Sequence, residues 1–175
     1  MTERQDQGAT ADELQQELRD LLCLAVVGDH VRWVTTGDEA AELSDWLADA
    51  VVQWRVWADQ VAKHLVKLGV APDGRVRSLA EDIPLNWVPD GWLPADEARQ
   101  LVADRLRTVA GWARHRRSQA ADPAVAQLLD AVCEGLEAHL HVREDADGTD
   151  RHGAHSPETN ATGHAARLHK SPRLP

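Results

Sequence analysis

Apolar side chains recur along this chain at helical spacing in four long segments, and the breaks between the segments differ greatly in length. Leu14, Leu18, Leu21, Leu22 and Ala25 share one face and predict a first helix running to about Thr36. Gly37-Asp38 follows as a stop-and-restart signal, with Gly past the end of one helix and Asp placed to cap the next. A second face, Leu43, Trp46, Leu47, Ala50, Trp54, Trp57, Val61, Leu65 and Leu68, carries a second helix to Gly69. From Val70 to Leu93 the pattern is broken by Pro72, Gly74, Pro84, Pro89 and Gly91, leaving one short helical stretch near 75–81. A third helix starts at Pro94 and shows Ala98, Leu101, Val102, Leu106, Val109 and Ala113 on one side. After a short connection at 120–123, Val125, Leu128, Leu129, Val132, Leu136 and Leu140 make the inner face of a fourth.

Helices of about 23 to 30 residues span roughly 35 to 45 Å, a length that packs best as an aligned bundle. The breaks then select the connectivity. Tight links join helices one and two, and three and four, into hairpins, whereas a loop of about 25 residues is long enough to travel the length of the bundle. The expected fold is all-α: a ferritin-like four-helix bundle over residues 12–144, with one long crossover carrying a short helix. A flexible N-terminus at 1–11 precedes it. From Asp145 the chain turns to Gly, Asp, His, Ser, Pro and Thr, and 145–175 reads as a disordered, His-containing tail.

Composition changes this picture in three ways. The 175 residues are 43% hydrophobic, enough to fill one sizeable core. The formal charge of −10 argues against a body that binds duplex DNA, but from Arg151 onward four basic side chains face one acidic one. The two cysteines, Cys23 and Cys133, match no zinc or redox spacing and read as buried thiols. The start lacks the basic and apolar regions of an export signal, and no apolar run is long enough to cross a bilayer, so the expected setting is the cytoplasm, with no membrane partner. Seven Trp with no Phe or Tyr read as core filler. Arg114-His115-Arg116-Arg117, closing the third helix, reads as a complement to the macrodipole, with an anion or nucleic-acid contact as the alternative.

Ferritin-like bundles commonly draw two Glu-x-x-His pairs from facing helices for di-iron chemistry. No Glu-x-x-His occurs here, nor His-Glu-x-x-His, a glycine-rich phosphate loop or a Gly-x-Ser-x-Gly elbow. An oxidase centre inside the bundle is not expected.

One stretch is more specific. Leu22-Cys23-Leu24-Ala25-Val26-Val27-Gly28-Asp29-His30-Val31-Arg32-Trp33-Val34-Thr35-Thr36-Gly37 resembles the end of the first helix in the mini-ferritin family named for DNA protection in starved cells (Dps). There a leucine-rich helix runs into His-Trp-Asn-Val-x-Gly, and Trp33 and Gly37 fall in register with it. Trp57-Ala58-Asp59-Gln60-Val61-Ala62 and Leu68-Gly69-Val70-Ala71-Pro72-Asp73-Gly74-Arg75 resemble the family's second-helix end and crossover, and Leu136-Glu137-Ala138-His139-Leu140 is similar to its closing helix. The likeness covers about residues 12–144.

The resemblance implies a twelve-subunit hollow shell, a homo-oligomer that oxidises Fe(II) with peroxide and stores ferric mineral, with some members also coating DNA. It implies a ferroxidase site between two subunits, with two His from one and an Asp and a Glu from the other. Carried over by register, those positions are Arg32, Ser44, Asp59 and Lys63, so one ligand type of four is retained. Guanidinium and ammonium groups offer donors only and repel Fe(II). Asp59 then reads as partner of Lys63 at i+4 and of Arg32 across the interface, an ionic lock where the family has iron. His30 and His64, each near a lost ligand, are the substitutes for a displaced site. The expected function is a self-assembling Dps-like mini-ferritin for stress protection and iron handling, with a degenerate, inactive ferroxidase centre and no enzyme activity. The alternatives are an active peroxide-dependent ferroxidase and iron store with non-standard ligands, or a non-enzymatic assembly partner of an active paralogue. DNA contact, where it occurs, falls to the tail through Arg151, Arg167, Lys170 and Arg173.

Overall fold

The computed structural model describes residues 2–80 and 88–150, with side chains from 7 to 80 and from 88 to 140. Its elements are α1 (Thr2–Val34), β1 (Thr35–Thr36), α2 (Ala40–Lys67), α3 (Val76–Ala80), β2 (Leu93–Pro94), α4 (Ala95–Gln119) and α5 (Pro123–Asp150). The four long helices form the bundle expected from the apolar periodicity. α1 packs along α2 and α4 along α5, while α1 also meets α4 across the core. Among the described residues no helix is long and apolar enough to cross a membrane.

A two-stranded parallel pair, absent from the sequence reading, closes the crossover. Thr35 pairs with Leu93 and Thr36 with Pro94, which brings the start of α4 to the end of α1. α2 and α4 therefore run the same way, each antiparallel to its own hairpin partner. At its other end the crossover is held by Gln15, whose Nε2 donates to the Asp73 carbonyl while its Oε1 accepts from the Asp73 N–H, each at 2.8 Å.

The helix ends follow local chemistry. α2 stops in a Schellman pattern: Gly69 takes φ +77°, its N–H donates to the Val66 carbonyl, and the Val70 N–H donates to Leu65. The start of α2 departs from expectation. Its N-cap is Glu39 rather than Asp38 and makes no side-chain cap hydrogen bond; instead the Ala40 N–H reaches back to the Gly37 carbonyl. Asp122 caps α5, its Oδ1 accepting from the Ala124 N–H at 2.7 Å just ahead of Pro123 in the first turn.

Two boundaries differ from the sequence reading. α1 begins at Thr2, inside the stretch expected to precede the bundle, and Ala11, three positions before Leu14, is buried in the core. α5 continues to Asp150, past the expected boundary at 144. The remainder of the tail, with Arg151, Arg167, Lys170 and Arg173, lies outside the described residues.

Two glycines set how closely the helices approach. Trp54 is fully buried against Gly28 of α1, where a Cβ would stand 2.7 Å from the indole. Trp57 lies over Gly135 of α5, where a Cβ would overlap its ring outright. The tryptophans are not uniformly core filler, however: Trp33 and Trp92 are 64% and 76% exposed.

Candidate functional site

The positions that the resemblance assigns to the family's iron ligands lie on the outer faces of α1 and α2. Lys63 and Asp59 are one helical turn apart on α2, and the ammonium stands 2.5 Å from Asp59 Oδ2, with both side chains largely exposed. Arg32, near the end of α1, is engaged with its own helix: its Nε donates to Asp29 Oδ1 at 3.0 Å, and its guanidinium carbon is 5.9 Å from the centre of the Trp33 ring. The second carboxylate oxygen of Asp29 accepts from Arg55 of α2, also at 3.0 Å. Ser44 is half-buried in the second turn of α2.

Within one chain, then, Asp59 pairs with Lys63, and Arg32 with Asp29. His30 is exposed on α1 and His64 half-buried in the last turn of α2. Among the described residues there is no group of three or more His, Cys, Asp or Glu side chains arranged to hold a metal ion.

The same side of the molecule carries a cleft of about 600 Å³, lined by Val26, Asp29, His30 and Trp33 of α1, Arg55 of α2, and Val76, Leu79 and Val88 of the crossover. Val26, Trp33, Val52, Val56 and Val76 are exposed.

Two polar clusters, one buried and one half-buried, are not legible in the sequence. The first corrects the role expected of Arg116. Rather than complementing the α4 dipole, its side chain turns inward, donating to Glu17 Oε2 at 2.7 Å and Asp20 Oδ2 at 2.5 Å, with Glu13 at 3.5 Å. Glu17 and Asp20 have no exposed surface. Burial pushes the Glu17 carboxyl up to about 7 against the pull of Arg116, and raises Asp20 for the same reason. The flanking Arg114 and Arg117 pair with Glu137 and Asp130 of α5 at 2.7 and 2.6 Å.

The second cluster lies between α2 and α5. Trp54 Nε1 donates to His139 Nδ1 at 3.0 Å, and the rings of Trp46, Trp54 and Trp57 surround the imidazole at centroid distances of 5.6 to 6.1 Å. Burial lowers the basicity of His139. The two thiols, Cys23 and Cys133, are free and buried as expected, and burial pushes both up to about 11, which leaves them protonated and unreactive at neutral pH.

No protein-family model matches the chain. Among curated proteins, DNA protection during starvation protein 2 of Deinococcus radiodurans is 26% identical over 138 residues, covering 77% of this chain and 57% of that protein. The fine tangled pili major subunit of Haemophilus ducreyi is 29% identical over 92 residues, 53% of this chain and 49% of its own. The chain thus spans about half the length of the curated relatives it matches. Among solved structures, Dps92 from Deinococcus radiodurans superposes with a TM-score of 0.78 at 24% identity, over 81% of this chain and 87% of that one. The tetragonal form of Mycobacterium smegmatis Dps gives 0.75 at 20% identity, over 79% and 86%. A Dps protein from Vibrio cholerae, of the ferritin-like diiron-carboxylate superfamily, gives 0.75 at 14% identity, over 81% and 90%. With helix order, hairpin pairing and long crossover all in agreement, the chain has the ferritin-like four-helix fold of the Dps mini-ferritins.

Proposed function

We propose that this protein is a Dps-like mini-ferritin that assembles through its bundle surfaces, acts in iron handling and stress protection, and has a degenerate inter-subunit ferroxidase centre. The observation that carries this reading is the Lys63 ammonium seated 2.5 Å from the Asp59 carboxylate. In the aligned family site that carboxylate is a lone-pair donor to iron. Here a cation already occupies it, Arg32 adds a second positive charge to the set, and Ser44 supplies a hydroxyl where imidazole is needed. The donor set does not fit Fe(II) as substrate, so no oxidation step is assigned to these residues.

Assembly is supported by the cleft and the exposed apolar side chains beside it. Val26, Trp33 and Val76 facing water is a costly arrangement for an isolated subunit and an ordinary one for a surface that meets a second chain. In such an assembly Arg32 of one subunit approaches Asp59 of another, which completes the ionic lock.

Anaerobic calorimetric titration of the purified protein with Fe(II), alongside light scattering on the eluted oligomer, tests the reading. The expected result is a large closed assembly with no stoichiometric, tight Fe(II) binding at the subunit seam. Saturable binding that disappears in Asp59→Ala overturns the degenerate centre in favour of a ferroxidase with non-standard ligands. A monomer or small oligomer overturns the shell.

A further inference from the structure

We propose that Trp54 and His139 form a proton-coupled one-electron oxidation site inside the bundle, which collects oxidising equivalents delivered to the protein by peroxide-derived radicals. The hydrogen bond between them defines its own proton positions. An indole nitrogen is a donor only, so the acceptor, Nδ1 of His139, carries no proton and the imidazole is the neutral Nε2–H form. Burial disfavours the imidazolium and keeps that acceptor available at neutral pH.

The surroundings supply a route for the electron. Trp54 is fully buried, so a radical in solution does not touch it. Trp46 is half-buried, and its ring lies 6.4 Å from that of Trp54 and 5.9 Å from His139, each in edge contact at an interplanar angle of 76°. Trp57 is tilted over the other side of the imidazole at 5.6 Å. Three indoles in mutual reach of one imidazole allow an electron vacancy created on Trp46 to pass inward by short steps.

The vacancy comes to rest at Trp54 for a chemical reason. A radical oxidant removes one electron from the indole system and is itself reduced by one electron. The N–H bond of the resulting radical cation is far more acidic than that of neutral indole. The proton crosses the existing hydrogen bond from Nε1 to Nδ1, leaving a neutral indolyl radical on Trp54 and a positive charge on His139, now protonated on both nitrogens. Among the described residues no imidazole accepts from Trp33, and the Arg32 guanidinium 5.9 Å from its ring centre disfavours a positive indole. The inference requires neither iron at Asp59 nor assembly into a shell.

The test uses the full-length protein and less than one equivalent of a ruthenium(III) polypyridyl oxidant generated by a light flash. Transient absorption distinguishes neutral tryptophanyl radical from radical cation, and peptide mass spectrometry then locates the oxidised residues. The expected result is a neutral radical in the earliest resolved spectrum, with products concentrated on Trp54 and Trp46 over Trp33 and Trp92, although the last two are far more exposed. In His139→Leu the prompt neutral radical is lost and the radical cation persists; in Trp54→Phe the products move to the exposed rings. The mapping on the unaltered protein needs no variant to fold. Products distributed over the indoles in proportion to exposure, or a prompt neutral radical undiminished in His139→Leu, overturn the proposal.

Discussion

Two sets of ion pairs in this protein are nearly identical in contact distance and opposite in setting. Between α1 and α4, Arg116 grips Glu17 and Asp20 at 2.7 and 2.5 Å with almost no water in reach. On α2, Lys63 meets Asp59 at 2.5 Å with 70% and 60% of the two side chains exposed. Contact distance does not rank them. Removing a charge from water costs several kcal/mol unless a partner and hydrogen bonds compensate it, whereas an exposed pair trades one set of favourable contacts for another. The inner set therefore bears on whether the bundle holds together, and the outer set bears little on it.

The largest expected effect follows from removing the cation of the inner set. Arg116→Met leaves two carboxylates buried without a counter-charge, one of them already with an oxygen, Glu17 Oε1, that has no hydrogen-bond partner among the described residues. Breaking a buried pair in this way costs about 3–5 kcal/mol, read as a shift of the urea unfolding midpoint at neutral pH. A loss below about 1 kcal/mol, the scale of an exposed pair, erases the distinction between the two clusters.

The contrast also explains what was legible in the sequence. Four helices, their hairpins and the crossover could be read because each apolar face repeats locally, and Gly69 announces its own stop by needing φ +77°. The inner cluster could not be read. Glu17 and Asp20 sit beside Leu14, Leu18 and Leu21 like ordinary polar interruptions, and their partner is 99 and 96 residues away. Arg116 was hidden among Arg114, His115 and Arg117, and only tertiary packing selects which of the four turns inward. Trp54 and His139, 85 residues apart, were concealed in the same way. At the positions the resemblance assigns to iron ligands the residue types are visible in the sequence, and so is the i,i+4 pairing of Asp59 with Lys63, but not the turn of Arg32 toward Asp29. The exposure of Trp33, on α1, and of Trp92, in the crossover, is not legible because an indole reads alike whether it serves a core or an outer surface.

A second prediction sharpens the comparison through pH. Burial holds the Glu17 carboxyl at about 7 in the folded protein, above the 4.5 of a free glutamate. A folded-state value above the unfolded one means the native state binds the extra proton. The associated stability is fully present below about pH 4.5 and is lost as pH rises through about 7. Taken at full size the shift corresponds to roughly 3 kcal/mol. Glu17→Gln keeps the shape and removes the titration, so the stability difference between the two proteins should change steadily between pH 5 and pH 8, with the parent losing ground toward the alkaline side. A difference that is flat across that window places no proton on Glu17.

The smallest effect on stability, and the most informative about function, belongs to that outer pair. Lys63→Ala removes an exposed i,i+4 partner, and its expected cost is below about 1 kcal/mol. The same position decides the chemistry of Asp59, because an ammonium seated on a carboxylate takes up the lone pairs a metal ion needs. A triple variant, Arg32→His, Ser44→His and Lys63→Glu, restores the ligand types of the aligned family site. It should leave the unfolding midpoint nearly unchanged and bind Fe(II) in an anaerobic titration more tightly than the parent does. If the triple variant folds and still binds no Fe(II), the exchange of ligands for cations at these positions does not by itself control iron binding, and the proposed reading of the site fails. If Lys63→Ala alone costs as much as Arg116→Met, the pair is covered by a neighbouring subunit and belongs with the inner cluster rather than opposite it.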